Sequence, residues 1–346
     1  AIVLSALDTV LIFSQLFADG KQGKRANDVV KHKCCATLTS LVSVPRFCYS
    51  FGHNNKSGNR VKMKNYMVGL GEILWDVFPT GKVLGGAPTN FAYHAMQQGM
   101  NSIVISAIGR DMLGHEIRES LNRKRQNFML VDTDYPTGTV QVSVSETGIP
   151  TYDIRENVAW DHIPLTAAIK DIARITSAVC FGSLAQRAEE SRSTIREFLS
   201  LVPEHAMKIF DINLRLHYYT EEIIKESLQQ ATILKINDEE LAVVAPMLQL
   251  QGDDAAMSRQ LIEMFHLQMV ILTAGGKYSC VYTADDCSCI ETPQVTVVDT
   301  VGAGDTFTAV MASSLLQGLS FKQAHEKAVE TAAFVCTRKG AMPEYD

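Results

Sequence analysis

From Met63 onward, short apolar runs alternate with longer segments of helical spacing, and this rhythm constrains the fold more than any other feature. "NSIVISAIG" (101–109), "SAVCFGS" (177–183), "MKIFDIN" (207–213), "ATILKIN" (231–237) and "QMVILTAG" (268–275) are almost unbroken in apolar residues, as strands buried on both faces must be. Between them lie amphipathic stretches. "NFAYHAMQQG" (90–99) closes at Gly99, "DMLGHEIRESLNRK" (111–124) opens on Asp111 as an N-cap, and "STIREFLSLV", "EEIIKESLQQ" and "AAMSRQLIEMF" follow. Strands alternating with helices build parallel sheets covered by helices, so the chain is expected to be an α/β layered fold with a largely parallel sheet. "YMVGLGEILWDVF" (66–78), closed by Pro79, reads as the first buried strand. One segment breaks the rhythm. In "TGTVQVSVSETGIPTYDIREN" (137–157), Val140, Val142 and Val144 alternate with Gln141, Ser143 and Ser145, the pattern of a half-exposed antiparallel hairpin that could serve as a lid or a dimer surface.

The first 62 residues differ in character. They hold nine Lys/Arg against three Asp, in a chain of 346 residues whose formal net charge is −6. The acidic balance of the rest argues against nucleic-acid binding as the main role. The opening "AIVLSALDTVLIFSQLF" has no basic region before it and no small-residue cleavage site, so a secretory signal is not expected; the basic, Ser/Asn-rich stretch after it resembles an organellar transit segment. The reading adopted is that residues 1–62 lie outside the working fold, with a native start at Met63 or Met67. No apolar run reaches the roughly 18–20 residues of a membrane span, and a cytoplasmic protein is expected. The eight cysteines include no C-x-x-C pair, and their scatter points to reduced thiols rather than a disulfide framework. Cys287 and Cys289 remain open as metal ligands.

"DTVGAGDTFTAV" (299–310) carries the chemistry. Gly302, Ala303 and Gly304 offer no side chains to pack, and glycines inside a helix cost about 1 kcal/mol each. At a helix start they leave bare N–H groups that suit an anion. The run ending near Gly318 reads as that helix, with Asp305 a carboxylate at its head. An anion beside a base suits phosphoryl transfer; a helix N-cap is the other reading of Asp305. No G-x-x-x-x-G-K-[ST] loop occurs, so the phosphates of a donor would be held by other elements.

"GGAPTNFAYHAMQQG" (85–99) with Gly109, and "DTVGAGDTF" (299–307), resemble the two signatures of the PfkB, or ribokinase-like, sugar kinase family. "GEILWD", "IGRDMLG", "FDINLR", "LKINDEE" and "TRKGAMP" resemble further landmarks in the expected order, over roughly 63–346, and "GEILWDVFP", "GGAPTN" and "DINLR" are most similar to the fructokinase branch. The resemblance implies a ribokinase-like α/β fold, with a mostly parallel central sheet flanked by helices and a small β lid at about 78–90 and 137–158. It implies an ATP- and Mg²⁺-dependent kinase acting on a small-molecule sugar, fructose first; a ribokinase, a 2-keto-3-deoxygluconate kinase, a nucleoside kinase or a non-catalytic sugar sensor stays open. Partners in the form of nucleic acid or membrane are not implied, and a homodimer through the lid is.

Residue by residue, the resemblance makes Asp305 the base and Gly302, Ala303 and Gly304 the anion hole. Asp76, Gly85, Gly86 and Asn90 would bind the sugar, buried structural roles being the other reading of Asp76 and Asn90; Arg155, from its place in the hairpin, would close over it or be an exposed hairpin arginine. Asn213 and Arg215 would meet donor phosphate, a surface salt bridge being the other reading of the arginine. Asn237 and Glu240 form an N-x-x-E pair that would organise Mg²⁺ through water, or else simply a solvated acidic helix start. Thr273, Gly275 and Gly276 would border the nucleotide, or form a plain strand-to-helix turn. Asp299, Val301, Val335, Arg338 and Gly340 resemble a monovalent cation site, with potassium implied. Two departures stand out: Tyr278 occupies a position where the family has glycine, and Val310 one where it has a small residue. Gly109, Asp111 and Gly114 are read as shaping a turn and capping a helix.

Overall fold

The computed structural model describes residues 65–144 and 150–345; they fall within a single compact unit, 62–346. The expectations for residues 1–62 and for the tip of the hairpin lie outside the described residues. In chain order the elements are β1 (Tyr66–Leu70), β2 (Leu74–Phe78), β3 (Gly81–Gly85), α1 (Ala87–Gln97), β4 (Ser102–Gly109), α2 (Met112–Arg123), β5 (Phe128–Thr133), β6 (Gly138–Val144) and β7 (Pro150–Ile154). Then come α3 (Ala167–Arg174), β8 (Thr176–Phe181), α4 (Glu189–Leu201), β9 (Met207–Asp211), α5 (Glu221–Gln230), β10 (Ile233–Asn237), α6 (Asp238–Leu248), α7 (Asp254–Phe265), β11 (Met269–Thr273), β12 (Tyr278–Tyr282), β13 (Cys287–Glu291), α8 (Ala303–Leu316) and α9 (Phe321–Cys336).

Nine strands form one sheet in the order β13-β12-β11-β10-β9-β8-β1-β4-β5. From β5 to β11 the pairing is parallel, and only β12 runs against the rest, pairing antiparallel with both β11 and β13. The apolar runs therefore become strands covered on both faces. One face buries Val68, Leu70, Phe181 and Phe210 against Ile195 and Phe198 of α4. The other buries Met67, Ile209, Ile233 and Ile271 against Phe91 of α1 and Phe307 and Val310 of α8. Val310 is fully buried, so its extra bulk is absorbed in helix packing. Among the described residues no helix is long and apolar enough to cross a membrane.

The first apolar run is two strands rather than one. It breaks at Gly71, whose φ of 149° few other residues tolerate. Upstream, β1 enters the large sheet; downstream, β2 enters a second sheet of order β3-β2-β6-β7. That smaller sheet includes the hairpin: β6 and β7 pair antiparallel, as the alternation predicts. It begins at Leu74, upstream of the expected 78–90. A second correction concerns thiols. Cys280 and Cys289, expected to be reduced, are joined by a disulfide between β12 and β13. They stand directly opposite in the antiparallel register, a proximity that their sequence spacing does not reveal. Cys289, named with Cys287 as an open metal ligand, is thereby engaged in the disulfide.

The contact that fixes α1 against β1 is a backbone approach. A Cβ on Gly69 would lie 1.9 Å from the carbonyl oxygen of Pro88. Relief would require β1 or the start of α1 to move, and overpacking of this kind costs about 1–3 kcal/mol. Gly69→Ala is accordingly expected to lower stability by about 3 kcal/mol in denaturant unfolding; a variant within about 0.5 kcal/mol of the parent would show that this approach is not a constraint.

Candidate active site

Gly302 caps α8 in the left-handed region, at φ 81° and with no side-chain bond to the helix. A Cβ there would sit 2.8 Å from Ala341, so both its conformation and its neighbour require glycine. Because Gly302 is the N-cap, the capping alternative for Asp305 falls away. The Ala303 amide donates to Thr300 O at 3.3 Å, while the amides of Gly304 and Asp305 have no backbone acceptor among the described residues. Ala341, which closes the turn from outside, is itself held on α1: its carbonyl lies 2.8 Å from Nε2 of the buried His94. Burial lowers His94 to about 4, so the ring stays neutral in this contact.

Asp305 faces this turn, and its Oδ2 accepts a hydrogen bond from Asn90 Nδ2 at 2.7 Å. Its pKa is raised to about 6, first by burial and then by the nearby charge of Asp211; Asn90, Lys235 and Arg215 pull it the other way. Asp76, on β2, reaches over Gly85, where a Cβ would fall 2.3 Å from Asp76 Oδ2. Burial raises Asp76 to about 6 as well, and Arg215 opposes that shift. Gly86, at φ 111°, passes so close to the Glu72 carbonyl that a Cβ would lie 2.4 Å away. Asp305, Asn90, Asp76, Gly85, Gly86 and Arg215 are thus brought to one cleft. Arg155 is not joined to them. It lines a cavity of about 510 Å³ with Thr139, Gln141, Asp153, Glu156 and Tyr218, and its carbonyl accepts from Arg187.

On the far side of the turn, Asn213 takes a left-handed φ of 46° and starts the exposed loop that carries Arg215. Asn237 and Glu240 form a capping box at α6: Asn237 Oδ1 accepts from Glu240 N at 2.7 Å, and Glu240 Oε2 accepts from Asn237 N at 3.0 Å. Glu240 Oε1 also accepts from Leu214 N at 3.0 Å, tying the Arg215 loop to α6. Each carboxylate oxygen keeps a further lone pair, so the pair fits a Mg²⁺ ion held through water and not one that displaces those amides. Thr273 ends β11, and a Cβ on Gly275 or Gly276 would meet nothing within 4 Å. The Tyr278 hydroxyl turns away from this loop to donate to Asp254 Oδ2 of α7 at 2.8 Å, which is how the family's glycine position accepts a large ring.

Asp299 draws the proposed cation segments together. Its Oδ1 accepts from Val301 N and its Oδ2 from Gly340 N, both at 3.0 Å. The Val335 carbonyl accepts from Arg338 N at 2.9 Å within the same bend, and the Arg338 guanidinium lies over the Phe334 ring.

Three buried charges were missed by sequence reasoning. Glu72 is 2% exposed, and its Oε1 accepts from Ala87 N at the start of α1; burial, with a smaller push from Asp305, raises it to about 7. Lys235 and Asp211 pair at 3.3 Å behind the turn. The signal was present in each case, a single charge inside an apolar strand run in "GEILW", "ILKIN" and "IFDIN".

The Asn90 bond favours the ionised form of Asp305, so Asn90→Leu should raise the carboxyl pKa above about 6, by on the order of one unit. Carboxyl chemical shifts followed through a pH titration measure it. An unchanged or lower pKa would mean that the bond contributes nothing to the ionisation of Asp305.

Residues 62–345 match the pfkB family carbohydrate kinase profile. The chain is 28% identical over 267 residues to an uncharacterized sugar kinase of Pyrococcus horikoshii, covering 74% of this chain and 82% of that one, whose crystal structure aligns with a TM-score of 0.70 over 80% of this chain and 93% of that one. It is 27% identical over 296 residues to the fructokinase of Salmonella typhimurium, covering 79% and 94% of the two chains. The fold aligns at a TM-score of 0.68 and 21% identity with a Vibrio cholerae fructokinase in fructose, ADP and calcium ion bound form, over 81% of this chain and 96% of that one. The match runs through both sheets and the whole cleft, and the chain belongs to the pfkB family of carbohydrate kinases.

Proposed function

We propose that this protein is an ATP-dependent sugar kinase that transfers the γ-phosphoryl group to the 6-hydroxyl of fructose. The observation that carries the reading is a bare helix N-terminus with a carboxylate at its mouth, Asp305 beside the unpaired amides of Gly304 and Asp305. The fructokinases among its relatives support the choice of acceptor.

The sugar hydroxyl oxygen forms a bond to the γ-phosphorus while the bond to the β-bridging oxygen breaks and ADP leaves with the electron pair. The hydroxyl proton passes to Asp305. Asn90 holds the carboxylate in place. The helix amides and dipole stabilise the charge that builds on the transferring group. Asp76 over Gly85 accepts from sugar hydroxyls, since a carboxylate held on a strand can select a hydroxyl pattern. Arg215 faces the phosphates from its loop, and Thr273, Gly275 and Gly276 border the nucleotide. Mg²⁺, held through water by Glu240 and Asn237, would neutralise phosphate charge. Potassium between the segments joined by Asp299 would stiffen the turn.

Asp305 accepts a proton only when ionised, so kcat is expected to fall as pH drops through about 6. Asp305→Asn keeps the size and removes the basicity; kcat should drop by about 10²–10⁴, with KM for sugar and ATP moving little. A pKa raised from 3.8 to about 6 means that stability falls as pH rises from about 3.8 to about 6 and stays at that lower level above, so the Asn variant should not melt earlier than the parent at pH 8. A kcat within about threefold of the parent would remove Asp305 as the base. ATP consumption with fructose, ribose, 2-keto-3-deoxygluconate and nucleosides tests the acceptor, and no turnover with any of them would leave a non-catalytic sugar-binding protein.

Potassium is expected to raise turnover. Equal rates in potassium and in tetramethylammonium at matched ionic strength would dispose of the monovalent site.

A further inference from the structure

Behind the base lies an ion pair with no part in the reaction as written. Lys235 on β10 stands opposite Asp211 on β9 in the parallel register, with Nζ 3.3 Å from Asp211 Oδ1. Both are buried, 8% and 4% exposed. The other Asp211 oxygen accepts from Thr308 Oγ1 at 3.0 Å, and the same hydroxyl lies 3.0 Å from the Gly304 carbonyl, so Asp211 is pinned to the first turn of α8. On its other side the Lys235 ammonium approaches Gly304, where a Cβ would come within 3.1 Å of Nζ. The ammonium is therefore wedged between Asp211 and the turn that carries Asp305. Stability alone is a poor reason for such a pair, because a well-packed apolar pair is often as stable.

We propose that Lys235 and Asp211 are positioning residues for the base: the ammonium screens Asp305 from Asp211 and keeps the base a carboxylate when the cleft is loaded. The inference rests on the reading of Asp305 as the base. The other charged or titratable groups facing this point are Glu240 from α6, Glu72 from the bend after β1, the Cys180 thiol from β8 and Arg215 from the loop after β9. Burial pushes the Cys180 thiol well up, so it stays neutral. Asp211 raises Asp305 and Lys235 lowers it, in the sense the geometry requires.

The test is the pH dependence of kcat in the parent, Lys235→Met, Asp211→Asn and the Asp211→Asn/Lys235→Met double variant. Removing the ammonium should move the acid limb up by about one pH unit, a tenfold change in the apparent ionisation constant. Asp211→Asn should move it down, and the double variant should return it to within about 0.3 unit of the parent. A purely structural pair would change the melting temperature or kcat and leave the limb in place, which overturns the proposal. So does a double variant displaced as far as Lys235→Met. If Lys235→Met fails to fold, the downward move in Asp211→Asn and the return in the double variant, which has no unpaired buried charge, still decide the matter. An active Asp305→Asn would instead sink the assignment of the base; an inactive Asp305→Asn with an unmoved limb sinks only the role of the pair.

Discussion

The cleft depends on α8 being buried along its length while its first turn stays open. Thr306 to Ser314 are all buried, enclosed by α1, α9 and the sheet. A helix so enclosed has its dipole in a medium of low polarisability, where charge at its end is felt more strongly than at a solvated surface. The small residues of "TAVMASS" follow from that enclosure, since larger ones would hold the neighbouring elements apart. Burial also leads the raised pKa values of Asp305, Asp76 and Glu72, each opposed by the exposed guanidinium of Arg215.

Glu240 shows how one side chain can cap a helix and anchor a neighbouring loop. As the third residue of a capping box it satisfies Asn237 N, and through its second oxygen it holds the Leu214 amide. The loop that carries Arg215 is thereby anchored to α6, although Asn213 and Leu216 both take left-handed conformations unfavourable for non-glycine residues. The acidic helix start is thus more than a solvated end, because its cap also holds the loop that carries Arg215.

What the sequence made legible was local or periodic. The parallel strands followed from unbroken apolar runs, the cap at Asp111 from residue type, and the bare turn at 302–304 from the absence of side chains. Less legible was whatever depends on which strands become neighbours. The break at Gly71 requires a conformation that "VGLGEIL" permits without demanding it, so one apolar run was divided between two sheets. The Cys280–Cys289 bridge and the Lys235–Asp211 pair arise from strand register, set by the whole sheet and not by either segment. The surroundings of Arg155 are equally non-local: its place in the hairpin does not reveal that Tyr218 and Glu156 line the same cavity.

The bond between Asn90 and Asp305 spans 215 positions, and the contact of His94 with Tyr345 spans 251. Contacts of such separation close late, because a long loop must be ordered before they contribute. A chain emerging residue by residue would form β1, α1 and β4 well before it had Asp305, the open turn at 302–304 or the segment that closes over Gly302. A partly made or partly unfolded copy therefore holds Asp76 and Asn90 without Asp305 and its turn, and the two sides of the cleft exist together only once the fold is complete.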